Sequence, residues 1–482
     1  MTGVPNLYFS PQDHGYLKEK LFKLLEQKGV RMDHPVVIDA LSGCGALVDR
    51  STNTVRLPEP VMEKLIARTP EQILLAAGSS RFDLAIPHPE NSFYVRTGTG
   101  ARSYIDPEGG TYRPTRLNDI SAWARLAGKL EHIDFCAFPS PLDAPEKTTD
   151  IHALREMFFN CPKHIWVQPY STESLPYLFK MVEIAAGGKE ALKKRPPASF
   201  ITCSLSPLDF KYMDLEVVVQ ACARGIPLHA CSLPSAGGTG PVTMAGTVLL
   251  AAAETLVLLA SAQAVKPGSP VIATPLIFSL DMLSGRGLQS SAEAIQGAAA
   301  AVNFLKNSFN LPVHTYGFGT DSPDSDGQAQ AERSLLALMT ALAGSNILGG
   351  AGQVEAATTI SPLQLIVDND LAGMVKKMKA GVILDEEHLG WDDLLNLKPG
   401  GHFLGNEHTF KHCRQVFKPQ TFVRRPRENR ALESQADYMA KAKAVHDQIM
   451  AEAEEPIISE NIREEINAIV READLHLARD HR

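Results

Sequence analysis

Between residues 133 and 348 one pattern keeps returning: a short apolar run of strand composition, a stretch with helical periodicity, then another apolar run. The runs fall at 133–138, 164–168, 199–203, 227–232, 271–278, 312–316 and 346–348. Strands joined through a helix lie parallel, because only a tight turn reverses the chain within a sheet. Two architectures satisfy this alternation: a closed (β/α)8 barrel of the TIM type, or a doubly wound open sheet. The barrel is the natural closure, with one strand still to be placed. Ser290 followed by Glu293 marks a helix start within the series.

The flanks differ in texture. Residues 1–116 mix helical patterns (12–28, 59–68) with short strand-like pieces (82–86, 92–96), which predicts an N-terminal α+β cap. The barrel is expected over 117–428. Residues 429–482 are charged and helical with a break at Pro456, an α-helical C-terminal extension that wraps the barrel or joins copies in a homo-oligomer.

Composition narrows the partners. The net charge of −8 comes without a basic patch interleaved with aromatics, and Arg424, Arg425 and Arg427, broken by Pro426, read as a solvated linker. Nucleic acid is not expected. Residues 244–265 are long and apolar enough to cross a membrane, yet Glu254 stands in their middle and much of the run is Ala and Thr, so they read as a buried helix. Seven cysteines without paired spacing point to reduced thiols in a cytoplasmic protein.

In a (β/α) barrel, chemistry sits on the loops after the strands. After the run at 312–316, His314, Tyr316 and Phe318 alternate and Asp321 follows. Aromatic faces beside a carboxylate suit a quaternary ammonium ion, held by cation–π attraction and charge. The same residues also fit a strand end packing into core, with Asp326 capping the next helix. Arg286, between Gly285 and Gly287, is a clamp for a substrate carboxylate or one half of a structural ion pair. Tyr94, Arg96 and Arg102 add aromatic and cationic groups from the cap. His229-Ala-Cys231 matches half of a zinc site, but the next cysteine, Cys413, is distant, so no metal centre is expected.

The loop Gly237, Gly238, Thr239, Gly240 leads into the long apolar helix that carries Glu254 and Gln263. It has neither the dinucleotide fingerprint nor the phosphate-loop ending. By itself it is a tight connection or the floor of a pocket for a planar ligand.

Jointly, 235–246, Glu254, Gln263, 267–271, 319–328, 349–352, 361–368 and 404–409 resemble the trimethylamine methyltransferase (MttB) superfamily over most of the chain. The resemblance implies a barrel that moves a methyl group from an amine to the Co(I) corrinoid of a separate corrinoid protein, with no tightly bound cofactor of its own. Gly237, Gly238, Thr239, Gly240 and Gly350 would face the corrin, with Asp321, Glu254 and Gln263 as catalytic groups on the cobalt-facing side. His314, Tyr316, Phe318, Arg286 and Tyr94 would hold the substrate. Trimethylamine-specific members carry pyrrolysine, which this sequence lacks. A quaternary amine needs no such helper, because it departs as a neutral tertiary amine. Gly349, where some relatives place a ring, leaves room for a bulkier betaine, favouring proline betaine or carnitine over glycine betaine. The alternatives are a trimethylamine-type or zinc-dependent thiol methyltransferase, or a betaine-binding protein without catalysis.

Overall fold

A computed structural model describes residues 8–424, 438–453 and 456–477, so Arg425 and Arg427 of the basic cluster lie outside the described residues. Eight parallel strands form the barrel: β1 (Tyr94–Thr97), β2 (Phe135–Ala137), β3 (His164–Val167), β4 (Ala198–Cys203), β5 (Leu228–Ser232), β6 (Val271–Pro275), β7 (His314–Tyr316) and β8 (Ile347–Ala351). Their spatial order is β6-β5-β4-β3-β2-β1-β8-β7, and a parallel bridge from Ala273 to Val313 closes the ring. Each strand is followed by a helix: α1 (Leu117–Lys129), α2 (Thr149–Asn160), α3 (Leu175–Ala185), α4 (Tyr212–Arg224), α5 (Met244–Val265), α6 (Ala292–Phe309), α7 (Gly327–Leu342) and α8 (Pro362–Lys379). The strand missing from the sequence pattern is β1, which lies within the stretch expected to be cap. The start of α6 is capped by Ser291, whose side chain accepts from Ala294 N, one residue later than the pattern suggested.

The rest of the N-terminal segment covers the side and the base of the barrel. Helices Pro11–Gln27, Pro35–Gly43 and Glu59–Ile66 pack on α5, which is apolar on all faces and is enclosed between them and strands β5 and β6. An amphipathic helix would leave one side to water; this one has no polar side to offer. The hairpin Ile73–Leu75 with Leu84–Ile86 plugs the N-terminal end, its side chains joining the core inside the barrel. At the opposite end, loops after the strands build two small sheets: Ser235–Ala236 with Phe278–Leu280 and Gly287–Leu288, and Ser103–Ile105 and Tyr112–Pro114 with Gln353–Val354 and Thr359–Ile360. They frame the mouth. The C-terminal helices Tyr438–Ala451 and Glu460–Leu477 lie against the outer helices, the first on α8 and α1, the second on α2 and α3.

Candidate active site at the barrel mouth

Side chains of alternate strand residues point to the barrel axis, and here they are unusually polar. Arg96 Nε donates to His314 Nε2 (3.3 Å), and His314 Nδ1 meets His229 Nδ1 (3.1 Å). His229 Nε2 contacts Ser199 Oγ (3.0 Å), which contacts His164 Nε2 (2.9 Å), and His164 Nδ1 reaches the Ala76 carbonyl in the plug (2.6 Å). Only one proton arrangement satisfies every link. A guanidinium can only donate, so His314 carries its proton on Nδ1; His229 then carries it on Nε2 and His164 on Nδ1. All three imidazoles are neutral in this arrangement. Burial drives them the same way: His164 is pulled down to about 4, and His229 and His314 well below the ordinary histidine range, with the Arg96 charge adding to the effect on the latter two.

Tyr316 stands two residues beyond His314, about 6.6 Å nearer the mouth. The Phe278 ring meets it edge-on at 6.0 Å. Burial pushes the Tyr316 phenol up to about 12, so it stays neutral. Gly350, at φ +95°, passes so close that a Cβ would lie 2.9 Å from the Phe318 carbonyl and 3.2 Å from Tyr316 Cδ1. Around this point several buried polar atoms have no hydrogen-bond partner among the described residues: both side-chain polar atoms of Gln289, Gln353 Oε1 and Trp166 Nε1. Native interiors rarely leave such atoms unpaired, so a cluster of them at a barrel mouth marks a place prepared for a ligand. Asp321 accepts from the backbone of Gln289 (2.7 Å) and Ser290 (3.0 Å), fixing the segment that carries the Gln289 amide. Its carboxyl is raised above the ordinary range by burial.

The rim is apolar and exposed. Leu205, Leu233, Val242, Met282 and Leu283 all sit on loops that follow strands, and Gly237 packs beneath Met282. In the glycine loop, the N–H groups of Gly238, Thr239 and Gly240 all converge on the Ser235 carbonyl (3.0 Å each), so they are spent inside the turn. That leaves an exposed flat turn, not an anion cradle. Arg286, at the tip of the neighbouring hairpin, is exposed and 4.0 Å from Glu355. A cleft of about 270 Å³ lined by Ile105, Asp106, Ser325 and Met439 lies between the small sheet and the starts of α7 and α8, away from these side chains.

The sequence pattern of the trimethylamine methyltransferase (MTTB) family matches residues 5–475. The chain belongs to that family. A trimethylamine methyltransferase MttB of Desulfitobacterium hafniense (strain DSM 10664 / DCB-2) is 28% identical over 467 residues, covering 97% of this chain and 94% of the relative. One from Methanosarcina barkeri (strain Fusaro / DSM 804) is 27% identical over 479 residues, covering 98% and 96%. A glycine betaine methyltransferase of Desulfitobacterium hafniense (strain Y51) is 27% identical over 458 residues, covering 94% of each. In fold, the chain is similar to the crystal structure of the Methanosarcina barkeri monomethylamine methyltransferase (MtmB), with TM-score 0.55 and 13% identity over 92% of this chain and 88% of that one.

In this member of the trimethylamine methyltransferase family, Tyr316, Gly350, Asp321, Arg286 and the glycine loop gather at the mouth, with His314 on the axis below. Four residues expected there lie elsewhere. Phe318 is turned into the outer core because the strand ends at Tyr316: the N–H groups of Gly317 and Phe318 both go to the Gly349 carbonyl, which breaks the alternation. Tyr94 points inward but at the plugged end, its ring tilted on His88 at 4.7 Å. Gln263 clamps the turn before β6, donating to the Ser269 carbonyl (2.8 Å) and accepting from Gly268 N (2.9 Å). Glu254 is fully buried and accepts from Ser204, Ser206 and Ser232 hydroxyls (2.7, 2.7 and 2.6 Å) and from Leu208 N (2.7 Å). Three donors share Oε2 and Leu208 N holds Oε1, so Glu254 ties down the loop after β4, and it and Gln263 are enclosed within the fold instead of lining the mouth. Glu254→Gln, which turns an acceptor into a donor among these groups, lowers stability by about 1–2 kcal/mol and exposes 204–208 to protease. Urea unfolding and limited proteolysis check both.

Arg96, named only in passing from the sequence, and Trp166, His164, Ser199, Phe278, Gln289 and Gln353 are the site residues the sequence reading missed. The available signal was parity: polar or aromatic residues at alternate positions of successive strands, as in His164/Trp166 and His314/Tyr316.

Proposed function

We propose that this chain transfers a methyl group from a quaternary amine of betaine type to the Co(I) corrinoid of a separate corrinoid protein docked on the apolar rim. The observation that carries the reading is the interior beneath the mouth: aromatic walls from Tyr316 and Phe278 over axial imidazoles locked neutral, which offer a departing amine no imidazolium proton. A quaternary nitrogen suits such a site, because it leaves as a neutral tertiary amine and asks for no proton. What remains to the protein is alignment, exclusion of water and weak stabilisation of the cation. Aromatic faces meet the last need better than a carboxylate, since positive charge vanishes from nitrogen as the bond breaks.

The acceptor corrinoid supplies a strong nucleophile when reduced. Leu205, Leu233, Val242, Met282 and Leu283, with the flat glycine turn, fit the apolar face of such a macrocycle. Asp321 acts as a positioning residue through Gln289. The relatives include a glycine betaine methyltransferase alongside trimethylamine methyltransferases, which fits a substrate of this class. The place a Gly349 side chain would take is already filled by Arg96 and His314, whose Nη2 and Nε2 a Cβ would meet at 2.7 and 2.9 Å, so the choice of a bulkier betaine rests on the sequence resemblance alone. Intracellular, reduced conditions are the setting this chemistry needs.

The test offers glycine betaine, proline betaine, carnitine, tetramethylammonium and trimethylamine with free cob(I)alamin and follows loss of the Co(I) absorbance. At least one quaternary amine consumes Co(I) and trimethylamine does not; demethylation of trimethylamine alone overturns the reading. Tyr316→Ala lowers kcat/KM by roughly 30-fold or more, the size of a desolvated cation–π contact, with the far-UV spectrum unchanged.

A further inference from the structure

Arg96 is fully buried on the barrel axis, yet among the described residues no Asp or Glu pairs with it. Its known contacts are neutral: Nε to His314, Nη1 to the Thr97 carbonyl (2.8 Å), and the guanidinium plane over the Trp166 ring at 4.3 Å. The nearby Cys203 thiol does not balance it, since its hydrogen bond with Cys231 and its burial keep it protonated. Nη2 has no acceptor among the described residues and faces Gly349, where a Cβ would stand 2.7 Å from it and 2.9 Å from His314 Nε2. The adjacent Trp166 Nε1 is a second buried donor without a partner among the described residues. A carboxylate would ordinarily neutralise a buried guanidinium, because an uncompensated charge in a low-dielectric interior is expensive. Here neutral acceptors, the His314 nitrogen and the Thr97 carbonyl, stand in place of a carboxylate.

We propose that Arg96, with Trp166 beside it, binds the carboxylate of a zwitterionic substrate deep in the barrel, so that the onium group stands above it at Tyr316 and presents its methyl groups to the mouth. Naming the onium group rests on the methyl-transfer reading; the anion site stands on the geometry of Arg96. A planar guanidinium matches a carboxylate through paired donors, and burial strengthens each bond. Arg286 is the poorer candidate, being exposed, screened by solvent and already opposite Glu355. Gly349 lets the guanidinium lie close against the backbone there, since a Cβ would push Nη2 aside.

The experiment separates the two charges. 3,3-Dimethylbutyrate has the carboxylate and a neutral tert-butyl group; tetramethylammonium has the cation and no acid. Calorimetric titration of the intact protein with each is compared for wild type, Arg96→Met and Gly349→Ala. Wild type binds 3,3-dimethylbutyrate, and Arg96→Met weakens that binding roughly 30-fold or more, the loss of a charge-assisted pair, while tetramethylammonium binds at least as well as before. The unliganded Arg96→Met protein melts no lower than wild type, because removing an unpaired buried cation relieves a cost, whereas a purely structural arginine would be missed. Gly349→Ala retains the charge and also loses the acid, which covers the case in which Arg96→Met does not fold. Equal binding of 3,3-dimethylbutyrate by wild type and both variants, or none by wild type, overturns the proposal. Should betaines consume cob(I)alamin equally well with Arg96→Met, this inference fails and methyl transfer survives; should the acid bind through Arg96 while no quaternary amine reacts, the converse holds.

Discussion

Asp368→Asn lowers the unfolding free energy by about 3–5 kcal/mol, the cost of removing one member of a buried ion pair. Arg333 and Asp368 are both completely buried, 2.6 Å apart, and neither has water to fall back on. Asp368 also accepts from Gly352 N (2.7 Å) and Gln364 Nε2 (2.9 Å), while Arg333 Nη2 donates to the Gln353 carbonyl (2.7 Å). The asparagine keeps the shape but turns an amide donor toward these donors and strands the guanidinium charge. Because Gly352 and Gln353 follow β8 into the mouth, the loss reaches the candidate site as well as the fold. The double variant Arg333→Met with Asp368→Leu regains most of the stability, since filling the same volume with apolar groups removes the desolvation cost of both ions. Urea titrations of the three proteins decide the matter: a single-variant loss below about 1 kcal/mol would mean the pair is far more solvated than its geometry allows.

The second large effect is a loss of stability in acid. His164, His229 and His314 have folded-state affinities for protons below those of the unfolded chain, so the unfolded state takes up more protons as pH falls. Their contribution is complete above about pH 6.5 and declines as pH drops towards the folded values. For His164 alone, with a folded value of about 4, roughly 2 kcal/mol is gone by pH 5 and about 3 kcal/mol at still lower pH. Protonating His229 or His314 makes both ring nitrogens donors and sets two protons face to face in the chain, whereas at His164 the Ser199 hydroxyl can rotate to accept the added proton. Buried carboxyls act oppositely: Asp214, raised to about 6 by burial, adds stability as pH falls through that value. A comparison cancels this background. The difference in unfolding free energy between wild type and His164→Gln shrinks from pH 7 to pH 5; a difference that stays constant would show that folding leaves the proton affinity of His164 unchanged, and one that grows would show that the folded protein holds it protonated.

Much of the architecture was readable because crossover helices and apolar strand runs are long, repeated signals. β1 escaped because it is only Tyr94–Thr97, half of it aromatic or charged, and set among irregular pieces that look like cap. The site was harder for a specific reason. Sequence reveals that Glu254 and Gln263 interrupt an apolar helix, and physics says that buried polar groups need partners; it does not say whether the partner is a ligand or the chain's own backbone. For both, the partners are loop and turn groups. At His314, Tyr316 and Phe318 the alternation rule was applied one residue pair too far, past the point where Gly317 turns the chain. Tyr94 had the right parity at the wrong depth, a coordinate that only register across the closed barrel supplies.

The enclosure of α5 carries a consequence for how this chain can be handled. Stripped of the helices at Pro11–Gln27, Pro35–Gly43 and Glu59–Ile66, Met244–Val265 would present a surface that water shuns and a lipid bilayer accepts. The first seventy or so residues therefore decide whether that segment belongs to an aqueous protein at all, and fragments that begin at the barrel are destined for inclusion bodies or detergent.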